Sequence, residues 1–218
     1  MKILLTGNPK KNIAKAICEL YPTAHTISRS DDATYTLDLL TSENLKKVAK
    51  ISMNYDVFIN SSLLIDFAQT KLLQYVWTEW KDNNKSGHII SFGSAVDYYF
   101  RPDNRLYPIE KRALRDLNRS LSKHVNWFDS KIKTTYFSFG GVDTDKTMHQ
   151  WSHFHHFKQE DIAAYVQWII ESPVSCNIDE LHITPIQPQE KKKMKENKKN
   201  VEIKWDSGDE RIFLKNEE

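Results

Sequence analysis

Tyr107 and Lys111, in the run Tyr107-Pro108-Ile109-Glu110-Lys111, are the side chains best spaced for chemistry in this 218-residue sequence. At i and i+4 they share one face of a helix, and Pro108 is tolerable there because it falls in the first turn. A phenol beside an ammonium can hold and move a proton. Pairs at this spacing are also common as plain surface neighbours, so context decides. Ser94 supplies it, standing just past the apolar run His88-Ile89-Ile90-Ser91-Phe92, where a strand should end in the same cleft and lead to the helix of Tyr107.

A second group is Thr6-Gly7-Asn8-Pro9-Lys10-Lys11-Asn12-Ile13-Ala14, at the first strand-to-helix turn. A phosphate suits this place because the helix offers unpaired N–H groups and the positive end of its dipole. Only Gly7 remains of the glycines that would let a backbone approach phosphate closely. Lys10 and Lys11 could contact phosphate by charge or point to solvent, and a structural turn is an equal reading. A third group is His149, His153, His155 and His156, interleaved with Trp151, Phe154 and Phe157. His149 and His153 have a spacing compatible with metal binding on a helix, but no obvious carboxylate accompanies them. Packing is the expected role, and no metal is expected. Tyr98, Tyr99 and Arg101 either line a substrate side or are ordinary loop aromatics.

These residues need a scaffold. Short apolar runs predict strands over 2–6, 25–28, 35–37, 56–60, 88–92, 132–137 and 180–184. Helical spacing predicts helices over 12–21, 66–81, 106–128 and 159–171, and a further one, capped by Thr41-Ser42-Glu43, that carries Leu45, Val48, Ala49 and Ile51. Strands alternating with helices imply an α/β fold, a doubly wound parallel sheet of Rossmann type in three α/β/α layers. Ligands of such sheets bind at the carboxyl ends of the strands, near the point where strand order reverses. Each polar group above follows a strand, so all point to one cleft.

The order of these groups resembles the short-chain dehydrogenase/reductase family. That family has a Thr-Gly turn, a strand ending in Asn, a strand ending in Ser and then Tyr-x-x-x-Lys. Here these are Thr6-Gly7, Asn60-Ser61-Ser62, Ser94 and Tyr107 to Lys111. Phe139-Gly140-Gly141-Val142-Asp143-Thr144 is similar to the family's later Pro-Gly motif, and Gln159-Glu160-Asp161-Ile162-Ala163-Ala164 to its last core helix. The resemblance covers about residues 1–184. The sequence departs from the family where Gly-Ile-Gly is Asn12-Ile13-Ala14, where Ser61-Ser62-Leu63 follows Asn60, and where Phe139 replaces proline. The Asn of the family's long central helix has no clear counterpart over 66–81.

The resemblance implies an NAD(P)-dependent oxidoreductase acting on an alcohol or carbonyl. It gives Tyr107 the proton transfer and has Lys111 favour the phenolate and hold the nicotinamide ribose, while Ser94 orients the substrate oxygen. Cofactor contacts are implied for Thr6, Gly7, Asn8, Lys10, Lys11, Asn12, Ile13, Arg29, Asp38, Asn60, Ser61, Ser62, Tyr107, Lys111, Gly140, Val142 and Thr144. Arg29, after the second strand, favours a 2′-phosphate, so NADP is expected ahead of NAD, with Asp31 and Asp32 weighing against. Asp38 could meet the adenine or cap a turn, and the histidine-rich stretch corresponds to the family's substrate lid. The long helices over 66–81 and 106–128 imply a homodimer or homotetramer. The altered glycine turn leaves an alternative, a dinucleotide-binding sensor or scaffold without turnover.

Composition bounds the rest. A content of 39% hydrophobic and 28% charged residues is that of a globular chain, and the net charge of +2 gives no nucleic-acid footprint. With only 2 cysteines, Cys18 and Cys176, a reduced cytoplasmic protein is expected, and no apolar run reaches membrane-spanning length. One domain is expected over 1–186. Beyond it come a lysine-rich linker or exposed helix over 187–200 and a hairpin over 201–218, where alternating residues flank Asp206-Ser207-Gly208-Asp209.

Overall fold

The computed structural model describes residues 1–62, 65–98, 105–128, 130–144 and 155–186. Tyr99, Arg101, His149, His153, the lysine run and the expected hairpin lie outside the described residues. The strands are β1 (Ile3–Thr6), β2 (His25–Ser28), β3 (Tyr35–Thr36), β4 (Val57–Asn60), β5 (Gly87–Phe92), β6 (Ile132–Phe139) and β7 (Glu180–Ile183). The helices are α1 (Asn12–Leu20), α2 (Ser42–Ser52), α3 (Ala68–Asp82), α4 (Tyr107–Ser122), α5 (His124–Trp127) and α6 (Gln159–Ile170). A 3-10 turn spans Ala95–Tyr98.

The strands form one parallel sheet in the order β3-β2-β1-β4-β5-β6-β7. The chain runs outward from β1 to β3, then returns to β4 on the other side of β1. The crevice at this reversal is where a doubly wound sheet takes its ligand. The strand runs are apolar on both sides because both faces are covered. Leu4, Phe58, Ile89 and Tyr136 pack with Leu45, Val48, Leu72, Val76, Trp80 and Leu114 of α2, α3 and α4. Ile3, Leu5, Ile59, Ile90 and Phe137 pack with Ile17, Ile162, Val166 and Ile169 of α1 and α6. The fully buried Trp80 donates its indole N–H to Ser52 Oγ at 2.8 Å, tying α3 to α2.

The structure corrects two boundaries and shows one unusual connection. The helix expected over 106–128 is two, α4 and α5, meeting at Lys123. Ser122 Oγ donates to the Arg119 carbonyl at 3.0 Å, and such side-chain bonds compete with the helical ladder. Strand β6 runs two residues past 137, because Ser138 and Phe139 pair with His182 and Ile183. Strands β2 and β3 are parallel yet joined only by residues 29–34, where a helical crossover is usual. Thr26 and Thr34 exchange N–H to Oγ1 bonds of 3.1 and 3.2 Å, folding this segment back along β2. Among the described residues no helix is long and apolar enough to cross a membrane, and both cysteines are free.

Candidate active site

Strand β5 delivers Phe92, Gly93 and Ser94 to the carboxyl edge of the sheet. Gly93 lies against the Tyr136 ring, where an added Cβ would come within 2.2 Å, so a glycine is required. The chain then turns over Ser94, with Asp97 N–H donating to the Ser94 carbonyl at 3.1 Å. Helix α4 opens at Tyr107, and the Tyr107 hydroxyl is hydrogen-bonded to the Ser94 side chain. One turn on, the buried Lys111 Nζ donates to Gln69 Oε1 at 2.7 Å and to the Phe92 carbonyl at 2.8 Å. It sits 5.7 Å from the centre of the Tyr107 ring. Ser94, Tyr107 and Lys111 are thus brought together.

In the chain without cofactor, burial dominates the electrostatics of this pair. Burial pushes Tyr107 up from its ordinary value, aided by the charges of Asp97 and Glu110 and opposed by the Ser94 hydrogen bond and Arg105. The phenol therefore holds its proton at neutral pH in the chain alone. Burial also lowers Lys111, to about 8, against the opposing charges of Asp97 and Glu110. A buried ammonium lacks hydration, and its two acceptors restore only part of what water gave.

Gln69 is the residue sequence reasoning missed. Its Nε2 donates to the Asn60 carbonyl at 2.7 Å and to the Phe92 carbonyl at 3.1 Å, while Asn60 Nδ2 donates to the Gln69 carbonyl at 2.9 Å. One side chain thereby joins the ends of β4 and β5 to Lys111. The signal was legible: Gln69, Leu72, Leu73, Val76, Trp77 and Trp80 make the buried stripe of α3, and a glutamine on such a stripe needs internal partners. Asp97 and Tyr136, both buried beneath the Ser94 turn, were missed as well. A loop aspartate and a strand tyrosine carry no spacing that would mark them.

The turn after β1 keeps its shape with fewer glycines. Gly7 has φ 146°, and a Cβ there would lie 2.7 Å from the Ala14 Cβ, so β1 and α1 approach closely. Asn12 takes φ 53°, and asparagine is one of the few side chains that enter this left-handed region readily. Asn8 Oδ1 accepts from Lys10 N–H at 2.8 Å, tightening the loop. Thr6 is buried below the turn, where its Oγ1 accepts the N–H groups of Ser61 and Ser62 at 2.9 Å each and its carbonyl accepts Ser61 Oγ–H. Thr6 therefore supports the crevice floor and does not line it.

The remaining positions surround the crevice. Lys10 Nζ meets Asp32 at 2.5 Å, across the loop that carries the exposed Arg29. The hydrogen bond from Lys10 is the main reason the Asp32 carboxyl lies below its ordinary value. Asp38 Oδ1 accepts from Leu40 N–H at 3.2 Å, so Asp38 caps a turn with one oxygen. Gly140 packs on Pro185 and Gly141 on the His156 ring, where a Cβ would fall within 2.6 and 2.5 Å. Val142 pairs with Phe157, and Thr144 N–H returns to the Val142 carbonyl at 2.8 Å. A separate surface hollow of about 530 Å³ lies by the start of β7. Its cations Arg119 and Lys123 are ion-paired with Glu180 and Asp179.

No family model matches the chain. A farnesol dehydrogenase of Aedes aegypti is 26% identical over 117 residues, which are 52% of this chain and 48% of that protein. The match thus spans about half the length of this curated relative. Among solved structures, a short-chain dehydrogenase/reductase family protein superposes with a TM-score of 0.64 at 16% identity, covering 84% of this chain and 95% of the other. ElxO with NADP bound gives a TM-score of 0.66 at 16% identity, covering 84% and 96%. The chain carries the fold of the short-chain dehydrogenases/reductases and, with Thr-Gly, Asn, Ser and Tyr-x-x-x-Lys in that family's order, resembles it as a divergent member.

Proposed function

We propose that the chain is an NAD(P)-dependent oxidoreductase that moves a proton through Tyr107 while hydride passes between a nicotinamide and an alcohol or carbonyl. The observation that carries this reading is the meeting of Ser94, Tyr107 and Lys111 at the carboxyl edge of the sheet. The turn after β1 fits a pyrophosphate. Helix α1 begins with no side-chain cap and no acid in its first turn, which leaves its N–H groups and dipole for an anion. Gly7, Asn8, Lys10, Lys11, Asn12 and Ile13 would hold the pyrophosphate, and Arg29 and Asp38 the adenosine side. Asn60, Ser61 and Ser62 would flank the crevice, Lys111 the nicotinamide ribose, and Gly140, Val142 and Thr144 the nicotinamide end. Arg29 and Lys10 favour NADP over NAD, and Asp32 offsets part of that charge.

The bound cofactor supplies or accepts the hydride. The chain supplies the rest. In the reductive direction the Tyr107 hydroxyl donates its proton to the substrate oxygen, and Ser94 Oγ sets the angle of that oxygen. Lys111 stabilises the phenolate left behind. Because the buried phenol holds its proton at neutral pH, the resting site is poised as an acid.

Fluorescence titration with NADPH and NADH tests the reading, and binding of neither at millimolar concentration refutes it. Given binding, turnover across a carbonyl panel should fall by roughly 10²–10⁴ in Tyr107→Phe. Binding without turnover in the wild type would instead favour the sensor. A homo-oligomer built on α3 and α4 is part of the proposal, and light scattering reads it.

A further inference from the structure

The buried Gln69 amide has a definite sense, set by what each of its ends can bond. Its nitrogen donates to the Asn60 carbonyl at 2.7 Å and to the Phe92 carbonyl at 3.1 Å. Both carbonyls are acceptors only, so turning the amide over would set oxygen against oxygen. Oε1 is thereby held towards Lys111, whose Nζ donates to it at 2.7 Å. A second tie lies close by, where the buried Glu110 accepts the Phe67 N–H at 3.0 Å. The start of α3 is thus clamped to the start of α4 at two points, and one of them is the Lys111 ammonium. An ammonium has three N–H groups in tetrahedral array. Gln69 and the Phe92 carbonyl take two of them, which fixes the direction of the third.

We propose that Gln69 is a positioning residue that acts through Lys111: its amide oxygen aims the ammonium and keeps it charged, and its amide nitrogen keeps that oxygen turned inward. For catalysis this rests on the oxidoreductase reading, but the clamp exists without cofactor. An acceptor in direct contact favours the charged form of a buried amine, because it replaces part of the lost hydration. It works against the burial that lowers Lys111 to about 8. The other groups that face Lys111 come from three elements. Asp97 of the 3-10 turn and Glu110 of α4 favour its charge, the Tyr107 ring centre lies 5.7 Å away, and β5 offers the Phe92 carbonyl. A side chain that merely filled the space between α3 and the strand ends would hold the packing and leave the charge of Lys111 unmoved.

The test follows the Lys111 Cε resonance in ¹³C-lysine-labelled protein without cofactor, assigned by its loss in Lys111→Arg. The wild type should titrate at about 8. In Gln69→Leu, which fills the space without an acceptor, the midpoint should fall by roughly one pH unit. Gln69→Glu, which keeps an acceptor of the same reach, should bring it back to the wild-type value or above. Equal midpoints in wild type and Gln69→Leu overturn the proposal, as does a Gln69→Glu midpoint as low as that of the leucine variant. If Gln69→Leu does not fold, Gln69→Met keeps the length of the side chain and reads the same loss. In carbonyl reduction with NADPH, the alkaline fall in kcat should begin at lower pH in Gln69→Leu than in wild type, because a neutral Lys111 cannot stabilise the phenolate. A fall that stays in place while the resonance moves overturns the role in the reaction. NADPH titration of the wild type keeps the two ideas apart, because failure to bind refutes the oxidoreductase reading and leaves the Lys111 result standing.

Discussion

Lys111→Met should change how stability depends on pH, by an amount the structure fixes. The ammonium is lowered from the usual lysine value of 10.5 to about 8, chiefly by burial. At about 1.4 kcal/mol per pH unit, this displacement corresponds to about 3 kcal/mol. The sign follows from proton binding. Between pH 8 and 10.5 the unfolded chain holds the Lys111 proton and the folded chain does not, so wild-type stability gains from this group as pH rises. Below about pH 8 both states are charged and the full penalty of burying the ammonium is felt. Methionine removes that penalty at every pH. It also leaves Gln69 Oε1 without its donor, at a roughly constant cost of about 1–3 kcal/mol. Urea unfolding of both proteins from pH 6.5 to 10.5 separates the two effects. The variant's stability relative to wild type should be flat below pH 8 and then drop by about 3 kcal/mol towards pH 10.5. Other titrating groups cancel in the difference. A difference that stays flat over the whole range refutes the argument.

Gly7→Ala should cost roughly 2–4 kcal/mol, because its φ suits glycine alone and its new Cβ meets Ala14. Thermal melts check this, with partial rescue expected from Ala14→Gly in the same chain. Asn12→Val should cost about 1–2 kcal/mol and Asn12→Gly only a few tenths, since position 12 is left-handed. Equal losses in urea unfolding would contradict that account. Gln69→Leu should cost roughly 2–4 kcal/mol by stripping the Asn60 carbonyl and Lys111 of a partner, and Gln69→Asn should recover little because the shorter amide cannot span the same three groups.

The fold was legible because parallel strands covered on both faces must be apolar throughout. Runs such as Val57-Phe58-Ile59 and His88-Ile89-Ile90 therefore stand out between amphipathic helices. Ser94, Tyr107 and Lys111 were legible for a related reason: each stands at a fixed offset from a strand end or helix start. What escaped was tertiary. The tie of Gln69 to two strand ends depends on how α3 leans over the sheet, and Asp97 gains meaning only once Tyr136 is seen beneath it. In the chain alone Tyr107 lies above its ordinary value, because sequence names the neighbouring charge but not the depth of burial opposing it. The break at Lys123 turned on one serine bonding back to a carbonyl, which periodicity does not register.

The hydrogen bonds that Thr6 makes to Ser61 and Ser62 have a dynamic meaning. Those two amides lie past the end of β4, in a loop that would ordinarily open on its own. Bonded to a buried hydroxyl of the neighbouring strand, they exchange with solvent only when those bonds open. The floor of the crevice is therefore tethered more firmly than its chain position, past the end of a strand, would give it. A ligand entering there meets a surface already ordered, and little entropy remains to be lost in shaping it.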